Sequence, residues 1–153
     1  MAALKERINT EMKAALLGGN RFVGDLLRDM KAAILNEEVA KNKRDEGLSD
    51  VEIEQVLARE VKKRRESATL YRDNDRSELA EKEEQELAVI EQFLPKQLSE
   101  EEIQAKVDAK LAEMGEVSPQ DMGKVIGALK SELGTSADGA MLARIVKTSI
   151  IKQ

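Results

Sequence analysis

Asp121-Met-Gly-Lys-Val-Ile-Gly-Ala-Leu129, followed closely by Gly134-Thr-Ser-Ala-Asp-Gly139, is the stretch that decides the fold of this chain. Its apolar residues recur every three or four positions, which is the spacing of one buried helix face. Gly123 and Gly127 lie inside this helix, where each costs about 1 kcal/mol relative to alanine. Gly134 is expected to end the helix. We therefore predict a helix, a tight turn and a further helix. The two internal glycines disfavour a helix, so their presence requires another explanation.

Further start and stop signals complete a unit of three helices. Ser99 and Glu102 have the spacing of a capping box, in which each side chain satisfies a backbone amide at a helix start. This first helix should end at Gly115. Pro119 then takes the first position of the second helix, where its missing N–H costs nothing. Asp138 is expected to cap the third helix, so short turns join all three.

The N-terminal part of the chain carries the signals of about four amphipathic helices. Gly18-Gly19 should end the first helix, and Asn20 should cap the second. Ser49 and Glu52 have capping-box spacing for the third helix, which should break near residues 73–75. A fourth helix follows and reaches the next proline.

The segment Pro95–Leu98 is the best boundary in the chain, because proline cannot continue a helical hydrogen-bond ladder. No alternating strand pattern is found. The predicted fold class is all-α, with an N-terminal bundle of about four helices at residues 1–95 and a compact C-terminal three-helix unit at residues 96–153.

Composition excludes most familiar catalytic chemistry. The chain has no cysteine and no histidine, which removes disulfides, Cys/His metal sites, thiol nucleophiles and histidine bases. Aromatic residues make up only 2%, which argues against base stacking on exposed rings. No apolar run is long enough for a bilayer, and the first residues lack a signal-peptide core. We expect a cytoplasmic protein with no cofactor, no metal and no membrane contact.

Charge limits how the chain can meet a nucleic acid. The net charge is −5, divided into −2 for residues 99–153 and −3 for the remainder. Neither part is basic, so any contact with RNA requires a local cationic patch.

Five segments, in order, resemble the GatB/YqeY family, and more closely its stand-alone YqeY branch. The segments are Leu26–Glu38, Glu60–Ser67 with Tyr71 and Arg72, Glu91–Ile103, Asp121–Gly127 and Ala137–Gly139. The resemblance covers nearly the whole chain. It implies an all-helical protein whose last third is similar to the tail domain of the aspartyl/glutamyl-tRNA amidotransferase B subunit, a domain that helps to hold tRNA. The catalytic fold of that enzyme has no counterpart here.

The glycine-bearing helix is the first candidate for contact with nucleic acid. Gly123 and Gly127 are four residues apart and share one bare face, with Lys124 and Lys130 as nearby cations. On one interpretation a tRNA backbone approaches this face. On the other, a neighbouring helix of the same unit packs closely against it.

The turn before the last helix is a second candidate. Ser136 and its neighbours offer hydroxyls and amides to a phosphate, although relatives often carry a lysine or arginine where this chain has Thr135 and Ser136. The alternative is a plain connection between helices, with Gly134 and Asp138 as its two caps.

The densest basic cluster lies in the third helix and includes Lys62, Lys63 and Arg65. It predicts either salt-dependent contacts with tRNA phosphates or a solvated face in ion pairs with nearby glutamates. Glu37, Glu38 and Glu60 resemble paired carboxylates, but without histidine they indicate no metal or acid–base site. We instead expect Glu37 to form a buried pair with a cation of the third helix.

Three functional hypotheses follow. The first is a non-catalytic accessory module that binds tRNA or associates with the amidotransferase or other translation proteins. The second is a protein–protein interaction module without RNA contact. The third, a carbon–nitrogen ligase that uses glutamine as amido donor, is disfavoured because the chain lacks both the usual thiol and a Gly-Lys-Ser/Thr phosphate loop. The oligomeric state is left open.

Overall fold

The computed structural model describes residues 2–152, and every regular element in that range is helical, which confirms the all-α prediction. The chain divides between Leu94 and Pro95 into two compact units. The N-terminal unit contains α1 (Ala3–Leu17), α2 (Arg21–Ala40), α3 (Asp50–Asp73) and α4 (Ser77–Glu91), and the C-terminal unit contains α5 (Glu100–Met114), α6 (Met122–Leu133) and α7 (Gly139–Ile151).

The N-terminal unit is built on two helix pairs, α1 against α2 and α3 against α4. In the first pair the helices approach closely at Gly24, where an added Cβ would lie 2.4 Å from a methyl carbon of Leu16. Apolar residues from all four helices and their connections form one core. It comprises Ile8, Leu26, Leu27, Met30, Ile34, Leu48, Ile53, Val56, Leu57, Val61, Ile90 and Phe93.

The C-terminal unit has its own core, to which all three helices contribute. The segment before α5 is fixed to the turn between α6 and α7, because the Leu98 N–H donates to the Ser136 carbonyl at 2.8 Å. The Gln97 amide donates to the Thr135 carbonyl at 2.8 Å. The core residues are Ile103, Val107, Leu111, Val125, Leu129, Leu142, Ile145, Val146 and Ile150.

Three predicted helix caps form as the sequence signals indicate. Asn20 caps α2, and Ser49 forms a complete capping box with Glu52 at the start of α3. Asp138 caps α7 through the Met141 N–H. These predictions are confirmed. The ends predicted at Gly115 and Gly134 are also confirmed, and both glycines adopt positive φ angles that a side chain would strain.

The start of α6 differs in detail from the prediction. Pro119 begins a 3-10 turn that ends at Asp121, and the α-helix begins only at Met122. Two hydrogen bonds hold residues 118–121 in this tight turn. Both the N–H and the hydroxyl of Ser118 donate to the Asp121 carboxylate, at 3.1 and 3.2 Å.

The buried acid of the N-terminal unit is Glu38, which corrects the prediction for Glu37. Glu37 does meet a cation of α3, Arg59, at 2.9 Å, but this pair lies at the surface. Glu38 is 1% exposed. Its carboxylate accepts from the Lys5 ammonium at 2.8 Å and from the Leu48 N–H at 3.3 Å. One carboxylate therefore joins α1, α2 and the connection between α2 and α3.

We expect Lys5→Met to lower the free energy of unfolding by about 1–3 kcal/mol, because Glu38 would lose the cation that pairs with it and stay buried. Urea unfolding followed by circular dichroism measures this change. Asp25→Asn is the control, since the Asp25–Arg28 pair is exposed and 3.8 Å long, and it should change stability by less than about 0.5 kcal/mol. Equal effects of the two substitutions would contradict the role given to Glu38.

The cap of α3 should make stability depend on pH. Hydrogen bonds from the Ser49 N–H and from Lys43 lower the pKa of Glu52 from 4.5 to about 2. A carboxylate whose pKa falls on folding stabilises the fold above its unfolded pKa, and that contribution is lost as the pH falls through the folded value. The stability difference between wild type and Glu52→Gln should therefore shrink between about pH 5 and pH 2. Thermal unfolding at a series of pH values measures it, and a constant difference would disprove this assignment.

Candidate nucleic-acid interface

The α6 glycine face consists of Gly123, Lys124, Gly127 and Lys130. At about 100° per residue these four positions fall within an arc of roughly 120° on one side of α6. The apolar residues of α6 occupy the other side, where Val125 and Leu129 are buried in the core of the C-terminal unit. The structure thus brings these four predicted residues together on the solvent side of one helix.

The two glycines of this face are open to solvent. A Cβ built on Gly123 or on Gly127 would meet nothing within 4 Å, and both residues are exposed. No neighbouring helix within residues 2–152 therefore packs against the side of α6 where their side chains would lie. Close helix packing, one of the two interpretations of this glycine pair, is wrong. Gly24 in α2 is the helical glycine that serves packing in this chain.

The charges on the α6 glycine face are both positive. Lys124 and Lys130 are exposed, and neither forms an ion pair within the part of the chain that the structure describes. The acid of α6, Glu132, lies about 140° around the helix from the centre of the face and pairs with Lys110 of α5. The hydrogen bond that Lys110 donates to the Glu132 carboxylate raises the pKa of Lys110. No carboxylate of α6 therefore competes with an anion at the two lysines.

The turn from α6 to α7 is occupied by its own hydrogen bonds. The Ser136 hydroxyl donates to the Leu133 carbonyl, and the Ser136 carbonyl accepts from Leu98. Ser136 is also partly buried. Its hydroxyl closes a 3-10 turn at Gly134–Ser136, so this geometry favours the simple helix connection over a phosphate site.

The basic cluster of α3 lies in the N-terminal unit, and most of its charges are matched. Arg65 pairs with Glu91 of α4 at 3.0 Å, and Lys63 lies 3.9 Å from Glu60. Lys62 is exposed and has no ion pair among residues 2–152. The cluster is thus largely the solvated, ion-paired face that the alternative interpretation predicts.

The three candidate carboxylates do not converge. Glu37 binds Arg59, Glu38 binds Lys5, and Glu60 binds Arg64 at 3.4 Å. Within residues 2–152 no group of three acidic side chains is arranged to hold a metal ion. Their chemistry is that of ion pairs, between helices for Glu37 and Glu38 and within α3 for Glu60.

A cavity between α1 and α2 was not predicted from the sequence. It measures about 250 Å³ and is mainly apolar, and we call it the α1–α2 cavity. The missed signal was a second apolar line on α2, formed by Leu35 and Val39, which are 43% and 59% exposed. Its lining residues are Lys5, Ile8, Lys31, Ala32, Ile34, Leu35 and Glu38.

Comparison with known proteins identifies the family. The sequence model of the family described as "Yqey-like protein" matches residues 5–150. The chain belongs to this YqeY-like family. The match spans both units of the structure, from α1 to the last turn of α7.

Several curated relatives of this YqeY-like chain bear the name "Altered inheritance of mitochondria protein 41, mitochondrial". The Lachancea thermotolerans protein is 25% identical over 95% of this chain and 78% of its own length. The Clavispora lusitaniae protein is 27% identical over 86% and 74%. The Kluyveromyces lactis protein is 29% identical over 78% and 62%.

The expected cytoplasmic location is contradicted by these relatives, because all three are named as mitochondrial proteins. Composition and the absence of cysteine do not distinguish between such compartments. Among the helices within residues 2–152, none has the length and the apolar run needed to cross a membrane.

We expect Gly127→Ala to stabilise this YqeY-like protein by about 1 kcal/mol, because alanine favours a helix and its methyl group would meet open space. Thermal unfolding of the full chain measures the change. Gly24→Ala is the matched control: it should gain no stability, since the new methyl group would displace Leu16. A loss of stability in Gly127→Ala would contradict the open environment of this glycine.

Proposed function

We propose that this YqeY-like protein is a non-catalytic accessory module that binds tRNA, or associates with a tRNA amidotransferase, through the α6 glycine face. This face contacts the sugar–phosphate backbone of the tRNA, and Lys124 and Lys130 bind its phosphates. The amidotransferase association rests on the resemblance, inferred from sequence motifs, of the last third of the chain to the tail domain of the B subunit.

The single observation that carries this proposal is the open backbone at Gly123 and Gly127. Two glycines within one helix cost about 2 kcal/mol together relative to alanine. Nothing within residues 2–152 occupies the space that the missing side chains leave open. A ligand that needs the backbone to be accessible explains both glycines, and the two flanking cations favour an anionic ligand.

The α3 side chains contribute less to the proposed tRNA binding than the α6 glycine face does; they are Lys62, Lys63 and Arg65. Of the three, Lys62 offers a charge without a carboxylate partner in the range described. The Ser136 hydroxyl is not a phosphate partner in this proposal, because it already donates to the Leu133 carbonyl within the turn.

Filter binding of the full chain to total tRNA tests the proposal. We expect micromolar affinity at about 50 mM salt that weakens at about 200 mM, because each phosphate contact releases counterions. Lys124→Glu combined with Lys130→Glu should weaken binding by more than about tenfold, because it removes two phosphate contacts and repels the backbone.

Lys106→Glu combined with Lys147→Glu is the control, since it changes the net charge equally at exposed lysines of α5 and α7. It should weaken binding much less. Gly127→Ala should also weaken binding although it stabilises the fold. No tRNA binding at low salt, or equal losses in the two double variants, would disprove the RNA contact.

A second candidate function is a protein–protein interaction module without RNA contact. It is favoured by the net charge of −5 and by the matched charges of the α3 cluster. The α1–α2 cavity adds an apolar surface of the kind that proteins use to dock partners.

A further inference from the structure

We propose that the α1–α2 cavity is a docking site for an acidic amphipathic helix of a partner protein, which inserts one apolar anchor residue. The proposal rests on the second candidate function and does not involve the α6 glycine face. It concerns the N-terminal unit alone.

The shape of the site suits a single apolar anchor. The accessible apolar lining of the cavity of about 250 Å³ is formed by Ala32 and Leu35, and Ile8 and Ile34 lie behind it in the buried core. A volume of this size fits one large aliphatic or aromatic side chain. Interfaces gain most of their affinity from such anchors in preformed apolar pockets.

The surroundings of the cavity favour a helix over a small molecule. Ala32, Leu35 and Val39 follow each other at three- and four-residue steps, so they form one line along α2 that leads away from the cavity. All three are exposed. A line of apolar residues about two turns long matches the i, i+3, i+4 and i+7 anchors of an amphipathic helix in a groove.

The charge at the cavity selects an acidic partner. Lys5 and Glu38 neutralise each other at 2.8 Å. Lys31 donates at 2.7 Å to the Asn9 side-chain oxygen, which is a neutral partner, so its positive charge is not compensated by a carboxylate within residues 2–152. One turn before Ala32, Arg28 is 63% exposed and only loosely paired with Asp25. A carboxylate beside the apolar anchor complements this rim.

The test uses two synthetic amphipathic helical peptides and the full chain. Both peptides carry leucines at i, i+3, i+4 and i+7; one has glutamates on its flanks and the other has lysines. We expect fluorescence anisotropy to show binding of the glutamate peptide, with an affinity at least about tenfold higher than that of the lysine peptide.

Leu35→Lys should weaken binding of the glutamate peptide by at least about tenfold, because it removes the apolar wall and blocks the cavity. Leu70→Lys is the matched control on α3, where Leu70 is 64% exposed, and it should weaken binding by less than about twofold. Lys31→Glu should reverse the preference between the two peptides.

Several outcomes would overturn the proposal: no binding of the glutamate peptide up to about 1 mM, equal affinity for both peptides, or equal losses in the Leu35 and Leu70 variants. Self-association that Leu35→Lys abolishes, without peptide binding, would assign the cavity to a second copy of the chain. If Leu35→Lys still captures the same cellular proteins as wild type, the cavity proposal fails while the interaction function stands. Binding of tRNA should be unchanged in Leu35→Lys.

Discussion

The carboxylate of Glu38 is the constraint on which the N-terminal unit depends. A buried charge is costly unless cations and hydrogen-bond donors satisfy it. Here Lys5 of α1 and the Leu48 amide do so, and both must be brought to α2 from distant points of the chain. Gly47 lies beside the same carboxylate oxygen and has a φ of +78°, which a side chain would strain. The register of α1 and the path of the α2–α3 connection therefore follow from a single acidic side chain.

The sequence predicted the helices well because their ends carry short-range signals. Asn20, Ser49 and Asp138 each cap a helix through hydrogen bonds that span only three residues, so the local sequence contains the whole interaction. Glu38 shows the limit of this approach. Its partners lie 33 and 10 residues away, and nothing in the local pattern distinguishes it from Glu37, its neighbour at the edge of the same face.

At the candidate site, too, the local features could be predicted from the sequence and the long-range contacts could not. Helical spacing placed Gly123 and Gly127 on one face, but it could not decide whether that face was covered. Whether the face is covered depends on which residues of α5 and α7 pack against the apolar residues of α6. This packing is a property of the assembled core. The same reason explains why the matched charges of Arg65 and Lys63 could not be assigned to particular glutamates, and why the α1–α2 cavity was not foreseen.

The hydrogen bonds that fix residues 97 and 98 to the α6–α7 turn have a practical consequence. Pro95 marks where the helical pattern stops, yet the residues just after it already belong to the C-terminal unit, because Gln97 and Leu98 bind the carbonyls of Thr135 and Ser136. A fragment that begins at the N-cap Ser99 would keep all three helices and lose these two bonds. A fragment that keeps these contacts of the C-terminal unit thus begins at Pro95, four residues before the N-cap of α5.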